Sequence, residues 1–178
     1  MTMFPTTSQT SPTRGYLLRC GNDEFIDLKR HRELGGHAAL RKALAMTPDA
    51  VREQVKAANL RGRGGAGFPI AFKLDSCRKE TSKQKFIVCN ADEGDPGAYS
   101  DRYLLEQQPH SVLLGMMIAG YITGAGTGVV YIRAEYPEAI TITQNAITSL
   151  YKQGLVGENM LQSGFDFNFK VISAQGAY

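Results

Sequence analysis

The sequence predicts an α/β fold in which crossover helices connect the strands of a parallel sheet, preceded by an N-terminal helical segment. Three short apolar runs are candidate strands, at 85–90, 128–134 and 167–173. The segments between them have helical periodicity, and strands that alternate with helices at this spacing are typical of parallel sheets. With 178 residues, 43% of them hydrophobic and 21% charged, the chain is long and apolar enough for one globular domain.

We expect the chain to have three parts. Residues 1–14 are rich in Thr, Ser and Pro and lack the apolar centre of a signal peptide, so they are predicted to be a disordered tail. Residues 15–60 form the N-terminal helical segment, and residues 61–178 form a ligand-binding α/β domain. The sequence ends at "AQGAY", directly after a predicted strand, so we expect part of this domain and its site to lie beyond it.

Helix signals precede the first strand. Residues 35–46 carry Ala and Leu at helical spacing. Thr47 is a suitable N-cap for a second helix, which begins at Pro48 and ends near Asn59. A third helix is predicted at 69–79, with its N-terminus directed at the glycine-rich stretch before it.

Two more helices are predicted between the strands. The apolar stretch 111–122 is shorter than the roughly 20 residues of a membrane helix, so it predicts a buried helix near 109–122 and no insertion into a membrane. Pro137 and Glu138 begin an amphipathic helix that Gly154 ends. The apolar face of that helix consists of Ala139, Ile142, Ala146 and Leu150.

Charge and cysteine content argue against several classes of function. The net charge of +3, without a basic run interleaved with aromatics, argues against a nucleic-acid partner. Scattered cysteines indicate unpaired thiols in a reducing, cytoplasmic compartment and predict no metal site. They are Cys20, Cys77 and Cys89. The three histidines are equally scattered, which predicts helix-end or surface positions rather than catalysis. They are His31, His37 and His110.

A glycine-rich stretch, "LRGRGGAGFP", occupies residues 60–69. Its glycines are Gly62, Gly64, Gly65 and Gly67. The spacing matches Gly-x-Gly-x-x-Gly, but a dinucleotide-binding fingerprint follows a strand and this stretch follows a helix. A P-loop would need Lys-Ser/Thr where Phe68 and Pro69 stand. A glycine-rich loop that enters a helix presents amides to an anion, and Lys73 would add a positive charge. The alternative is a tight turn with a surface lysine.

A second polar stretch, "CNADEGDPGAYSDR", follows the first predicted strand. It places one amide and three carboxylates at the carboxyl end of that strand, where α/β proteins bind ligands. These residues are Asn90, Asp92, Glu93 and Asp95. They suit hydrogen bonds to ribityl or ribose hydroxyls, with a solvated acidic turn or a Mg²⁺ site as alternatives. In "YIRAEYPEAI", Arg133 and Glu135 lie where a strand turns into a helix. They either support the residues of the site from behind or pair with each other at the helix entry, and the sequence favours this structural role.

From about residue 35 onward, the sequence resembles the flavin-binding subunit of NADH dehydrogenases. That family includes the 51-kDa-type subunit of respiratory complex I and the diaphorase or β subunits of NAD-linked hydrogenases and formate dehydrogenases. The resemblance rests on long motifs that occur in one order. They are "LRGRGGAGFP" with Lys73, "CNADEGDPGAYSDR", "PHSVLLGMMIAGY" and "YIRAEYPEAI".

The resemblance implies FMN as cofactor and NADH as substrate. The residues implied to contact FMN are Gly62, Gly64, Gly65, Lys73, Asn90, Asp92 and Tyr178. Glu93 is implied to be the catalytic residue, beside the flavin and NADH, where a carboxylate affects flavin potential and nucleotide release. Phe68 would stack on the adenine of NADH, and Asp95 would hydrogen-bond the nicotinamide end. Because hydride passes directly from nicotinamide to flavin, orientation and electrostatics matter more than a general base.

The sequence departs from the family pattern at three places. After Phe-Pro the family usually has Thr-Gly-x-Lys-Trp, whereas residues 70–74 are Ile-Ala-Phe-Lys-Leu. Asp95 stands where complex I subunits commonly have Glu, which is closer to the formate dehydrogenase and hydrogenase branch. The family's Cys-Gly-Glu-Glu segment and its four-cysteine [4Fe–4S] domain do not occur in this sequence.

The resemblance therefore implies the N-terminal part of an NADH-oxidising flavoprotein subunit, with 61–178 as a truncated FMN/NADH-binding domain. It would pass hydride from NADH to FMN, and electrons on to iron–sulfur clusters, in a multisubunit formate dehydrogenase, hydrogenase or NADH-quinone oxidoreductase. A thioredoxin-like [2Fe–2S] subunit is an implied partner, and the location is cytoplasmic or peripheral at a membrane through the complex. The alternative is a non-catalytic fragment that acts only as a folding or docking module.

Overall fold

The computed structural model describes residues 25–176, so the predicted tail, Cys20 and Tyr178 lie outside the described residues. This part of the chain contains seven α-helices and three strands. In chain order they are α1 (Leu28–Glu33), α2 (Gly36–Leu44), α3 (Pro48–Ala57), α4 (Ile70–Lys79), β1 (Phe86–Ala91), α5 (Ser100–Gln107), α6 (Pro109–Thr123), β2 (Thr127–Arg133), α7 (Pro137–Lys152) and β3 (Asn168–Ala174). A 3₁₀ turn at Met160–Gln162 precedes β3.

The strands form a parallel sheet in the order β1-β2-β3, which confirms the predicted α/β class. Helices α5 and α6 connect β1 to β2, and α7 connects β2 to β3. In the register, Val88 is opposite Val129 and Val129 is opposite Lys170. Each connection runs between parallel neighbours, so the carboxyl ends of all three strands meet at one edge of the sheet.

The helices cover one face of this sheet. Val130 and Ile132 of the middle strand point into the core and are completely buried. On the opposite face Phe86 and Val88 are 46% and 61% exposed, so the described residues leave that face of β1 uncovered. Parallel sheets are usually covered on both faces, which makes this surface unusual for a soluble domain.

Helix α6 lies at the centre of the core. It is apolar around most of its circumference, with Leu113, Met117 and Ile122 buried, as expected of a helix surrounded by protein. Gly120 allows the ring of Phe167 to pack directly on the helix, because a Cβ at this position would overlap that ring. The close approach of the two residues fixes α6 against the segment that enters β3.

The N-terminal helices pack against α6. The amide of Ile26 donates to the carbonyl of Gln107 at 2.8 Å, and the Tyr121 hydroxyl donates to the carbonyl of Met46 at 2.6 Å. Thr47 caps α3 as predicted: its hydroxyl accepts a hydrogen bond from the amide of Ala50 at 3.2 Å. The N-terminal segment is therefore tied to the sheet domain through the end of α5 and through α6.

The structure differs from the sequence-based elements in two places. The polar stretch after β1 was expected to be a loop up to the apolar helix, but α5 begins inside it at Ser100. The histidines are at helix ends as predicted, but a surface position is wrong for two of them. His31 and His110 are 9% and 4% exposed, and their rings lie 5.9 Å apart. The two imidazoles are buried because the helices that carry them, α1 and α6, pack against each other.

Within the described residues, Cys77 and Cys89 are free thiols, as predicted. None of the helices in residues 25–176 has the length and apolar character needed to cross a bilayer.

Candidate functional site

The glycine-rich loop is closed at its base by hydrogen bonds that resemble those of a hairpin. The Gly62 amide donates to the carbonyl of Phe68 at 2.8 Å, and the Ile70 amide donates to the carbonyl of Leu60 at 2.9 Å. The Arg61 guanidinium also donates to the carbonyl of Gly67 at 3.1 Å. The loop is thus held as a defined projection immediately before α4.

The surface of this projection is open. Gly65 has φ +101°, a backbone conformation that favours glycine, and a Cβ on Gly64 or Gly65 would meet no atom within 4 Å. The backbone of the loop is therefore accessible to a ligand at these positions. A Cβ here would occupy space that a closely approaching phosphate or ring needs.

Lys73 extends from the first turn of α4 back toward the loop. Its Nζ would lie 3.4 Å from a Cβ on Gly62. The N-cap residue of α4 is Pro69, and no side chain caps the helix, so its first turn combines a positive dipole end with this ammonium group. The predicted proximity of Lys73 to the glycine loop is present, and the arrangement suits an anion such as a phosphate.

Phe68 closes the loop on the side of α4. Its ring is 50% exposed and makes an edge contact with the ring of Phe72, with centroids 6.2 Å apart. An exposed aromatic face beside a cationic loop can stack on a planar ring of a ligand. Phe72 was not singled out from the sequence, where its position in the first turn of the helix that follows Phe68 was the available signal.

The loop after β1 begins with an Asx-type turn. The side-chain oxygen of Asn90 accepts a hydrogen bond from the Asp92 amide at 3.1 Å, which orients the chain as it leaves the sheet. Asn90 is exposed and Asp92 is half-buried. Asp95 is exposed further along, where its carbonyl accepts from the Ala98 amide at 3.0 Å in a tight turn.

Glu93 is buried and its carboxylate caps α5. One carboxylate oxygen accepts from the Ser100 hydroxyl at 2.9 Å and the Asp101 amide at 3.1 Å, and the other accepts from the Arg102 amide at 3.2 Å. Burial alone would raise the pKa of Glu93, but these hydrogen bonds outweigh it and hold the pKa below its usual value. Glu93 is therefore ionised at neutral pH, with its charge fixed at one place.

This cap explains why α5 was missed in the sequence. The residue that satisfies its first amides, Glu93, lies seven positions before Ser100 and not at the usual N-cap position. The Ser-Asp pair at 100–101, which is typical of a first helical turn, was the signal that could have revealed the helix.

Two groups near Glu93 have raised pKa values. Burial and the Glu93 carboxylate raise the pKa of Asp101. Burial, with the charge of Asp101 as a smaller cause, raises the pKa of the Cys89 thiol to about 11. Cys89 is therefore protonated at neutral pH and is a core residue beside the site, not a nucleophile.

The structure places the predicted residues in two groups. Gly62, Gly64, Gly65, Phe68 and Lys73 belong to the loop before α4, and Asn90, Asp92, Glu93 and Asp95 belong to the loop after β1. Hydrogen bonds fix the backbone within each group. Tyr178, the remaining predicted contact, lies outside the described residues.

The family model of the Nuo51 FMN-binding domain matches residues 55–178. The chain belongs to the Nuo51 FMN-binding family. The matched range contains both loops, and the resemblance found in the sequence motifs is confirmed. The open glycine surface, the Lys73 ammonium and the exposed Asn90 amide fit a ligand that carries a phosphate and hydroxyl groups.

The curated relatives of this Nuo51-family chain are oxidoreductase subunits. It is 44% identical to the NADP-reducing hydrogenase subunit HndC of Solidesulfovibrio fructosivorans, over 99% of this chain and 36% of that protein. It is 46% identical to a subunit of the NADH-quinone oxidoreductase of Rhizobium meliloti, over 81% of this chain and 34% of that protein. The chain thus spans about a third of the length of these relatives.

Solved structures of an NAD⁺-reducing [NiFe]-hydrogenase have a similar fold. For the air-oxidised state the TM-score is 0.59 at 35% identity, with 73% of this chain and 21% of that chain covered. For the H₂-reduced state the TM-score is 0.60 at 34% identity, over 76% of this chain and 22% of that chain. The α/β arrangement of the Nuo51-family chain is therefore similar to that of about a fifth of a chain in this hydrogenase.

Proposed function

We propose that this chain is the flavin- and NADH-binding part of an oxidoreductase subunit that takes hydride from NADH in a multisubunit electron-transfer complex. The observation that carries the proposal is the open glycine loop with Lys73 beside it, inside a segment that matches an FMN-binding domain. When bound, FMN supplies the chemistry of accepting a hydride and releasing the electrons to one-electron carriers.

The loop before α4 and the loop after β1 hold the cofactor. Backbone amides of the loop and the Lys73 ammonium bind its phosphate, while polar groups at the end of β1 hydrogen-bond its ribityl hydroxyls. The residues assigned to FMN are Gly62, Gly64, Gly65, Lys73, Asn90, Asp92 and Tyr178. The positive charge of Lys73 attracts the dianionic phosphate, and the missing glycine side chains allow it to approach.

NADH binds next to this cradle. Phe68 presents an exposed ring for stacking with the adenine, and Asp95 is an acceptor for the carboxamide of the nicotinamide end. Glu93 is the catalytic-site carboxylate: its fixed negative charge disfavours extra electrons on a nearby flavin and affects the release of the oxidised nucleotide. The residues of the chain would hold and orient the two rings, and none of them would have to remove a proton.

The partners we propose are the other subunits of the complex, among them a thioredoxin-like [2Fe–2S] subunit that receives the electrons. Support comes from the relatives, which are subunits of a hydrogenase and of NADH-quinone oxidoreductases. The three cysteines of this sequence are fewer than the four ligands of the family's [4Fe–4S] cluster. Clusters that accept electrons from the bound flavin would therefore be held by ligands that are not all among these 178 residues. We place this complex in the cytoplasm or peripherally at a membrane surface.

Anaerobic reduction by NADH tests this proposal. The chain is loaded with FMN and mixed with NADH, and the visible flavin absorbance is followed. We expect bleaching at a rate that saturates with NADH, and Phe68→Ala raises the half-saturating NADH concentration about tenfold, because one ring-stacking contact is lost. Phe25→Ala is the matched control: Phe25 is 49% exposed and Phe68 is 50% exposed, but Phe25 lies outside both loops. A flavin that NADH does not reduce overturns the proposal.

The second candidate function is a non-catalytic folding or docking module. The uncovered face of β1 favours it, since Phe86 and Val88 together form an exposed apolar surface that another protein surface can cover. A module of this kind would bind no FMN and would self-associate, with Val88→Lys restoring the monomer in sedimentation velocity. FMN binding by the wild-type chain excludes it.

A further inference from the structure

Arg133 joins the carboxyl ends of all three strands. It is the last residue of β2, the middle strand, and its side chain is 13% exposed. One guanidinium nitrogen donates to the Glu93 carbonyl at 2.6 Å, in the loop after β1. On the other side a Cβ on Gly176 would lie 2.8 Å from Nη2, so the segment after β3 packs on the same group.

The guanidinium is itself held in place. Its Nε donates to the Glu135 carboxylate at 3.3 Å, and its carbon lies 5.6 Å from the centroid of the Tyr136 ring. The Tyr136 hydroxyl lies 3.4 Å from the same Glu93 carbonyl. A planar guanidinium with several donors can make these contacts at once, whereas a lysine ammonium is a single compact charge.

Both the backbone carbonyl and the side-chain carboxylate of Glu93 are consequently fixed. Its carbonyl is held by Arg133, and its carboxylate is held by the first amides of α5. A hydrogen bond from a charged donor is stronger than one between neutral groups, so the contact of Arg133 dominates at the carbonyl. Moving that carbonyl would move the peptide and draw the carboxylate away from its cap.

We propose that Arg133 is a positioning residue that sets where the Glu93 carboxylate lies relative to the bound flavin. This inference rests on the proposed function and deepens it, because the sequence favours a structural pairing of Arg133 and does not indicate which site residue it would support. The residue acts through Glu93 and does not itself react. Arg133 therefore affects the midpoint potential of the flavin only while the Glu93 carboxylate is present.

The first experiment measures the midpoint potential of FMN bound to the full 178-residue chain in a double-mutant cycle. Arg133→Gln releases the Glu93 carboxylate, so the potential rises toward that of Glu93→Gln. In the Glu93→Gln background Arg133→Gln adds no further rise, because the group that it positions is gone. Glu135→Gln is the matched control: it removes the half-exposed negative charge beside Arg133 but keeps a side-chain oxygen that accepts from Nε. The donor to Glu93 stays in place, so we expect the potential to be unchanged.

Arg133→Lys separates positioning from charge. It keeps the positive charge and loses the guanidinium fork, so we expect the potential to rise as in Arg133→Gln. Either of two results overturns the inference: a shift of equal size with and without the Glu93 carboxylate, or a wild-type potential in Arg133→Lys. The lysine variant also supplies the test if the glutamine variant does not fold.

The second experiment needs no flavin and so separates this inference from the proposed function. Amide hydrogen exchange is measured in the FMN-free chain at Asp101 and Arg102, which donate to the Glu93 carboxylate. Arg133→Lys speeds exchange at both amides on the order of tenfold, and Glu135→Gln does not. Unchanged exchange overturns the role of Arg133. If the variants show this exchange pattern but the wild-type chain binds no FMN, only the proposed function is overturned.

Discussion

His110 is expected to make the fold lose stability in mild acid. It is the second residue of α6, it is almost fully buried, and its ring lies 5.9 Å from that of His31. Burial, and then the charge of a protonated His31, lower the pKa of His110 from 6.5 to about 4, with the carboxylate of Asp27 acting in the opposite direction. The folded protein therefore holds His110 neutral over a pH range in which an unfolded chain protonates it.

The direction and the size of this change in stability follow from the two pKa values of His110, 6.5 in the unfolded chain and about 4 in the folded protein. Between about pH 6.5 and about pH 4 the unfolded state binds a proton that the folded state does not, so stability falls as the pH falls. Linkage over the two values gives a loss of about 2 kcal/mol by about pH 5 and almost none at about pH 7.5. This is a substantial fraction of the free energy of unfolding of a small domain.

Urea unfolding at about pH 7.5 and about pH 5 measures this loss in the wild type and in His110→Gln. Glutamine carries no titrating group, so the decrease in stability between the two pH values should be about 2 kcal/mol smaller than in the wild type. His37→Gln is the comparison: partial burial, then the charges of Arg32 and Arg41, also lower the pKa of His37, but its ring is only half-buried. This variant should therefore reduce the loss of stability by less than His110→Gln does. The reasoning is refuted if His110→Gln and the wild type lose the same stability between the two pH values.

Two further predictions concern the core. Gly120→Ala should lower the free energy of unfolding by about 1–3 kcal/mol, since its Cβ would overlap the Phe167 ring and lie 2.9 Å from the Ala125 carbonyl, and calorimetry measures this. Gly115→Ala in the same helix has open space for its Cβ and should not destabilise, so equal losses would contradict the packing argument. Cys89, whose pKa is raised to about 11 by burial, should react with iodoacetamide more slowly than the exposed thiol of a small peptide, as followed by mass spectrometry. Equal rates would show that the thiol is accessible and ionised.

The α/β architecture could be predicted because its signals are local. Each strand is a short apolar run, and the Thr47-Pro48 pair marks a helix start by its own chemistry. The start of α5 was not placed in this way, because its cap is the side chain of Glu93 from the preceding loop and only the Ser-Asp pair at 100–101 marks the helix locally. The burial of His31 and His110 depends on contact between two helices that are distant in sequence.

In the candidate site too, features set by local sequence were predicted, and contacts between distant residues were not. The glycine loop and Lys73 were predicted to be neighbours because Lys73 lies one turn into the helix that follows the loop, and the structure brings them together. The contact of Arg133 with Glu93 was not predicted, because it crosses from one strand end to the next and depends on the register of β1 and β2. Sequence motifs indicate which residues gather at the strand ends, and only the packed sheet determines which of them touch.

The most direct test of the central claim, that this chain forms an FMN cradle, is a titration of the 178-residue chain with FMN followed by flavin fluorescence. We predict saturable quenching that Lys73→Ala weakens on the order of tenfold or more, since a charged partner of the phosphate is lost. Lys79→Ala is the control because Lys79 is exposed at the opposite end of the same helix. The absence of saturable quenching, or equal weakening by the two lysine variants, would contradict the claim.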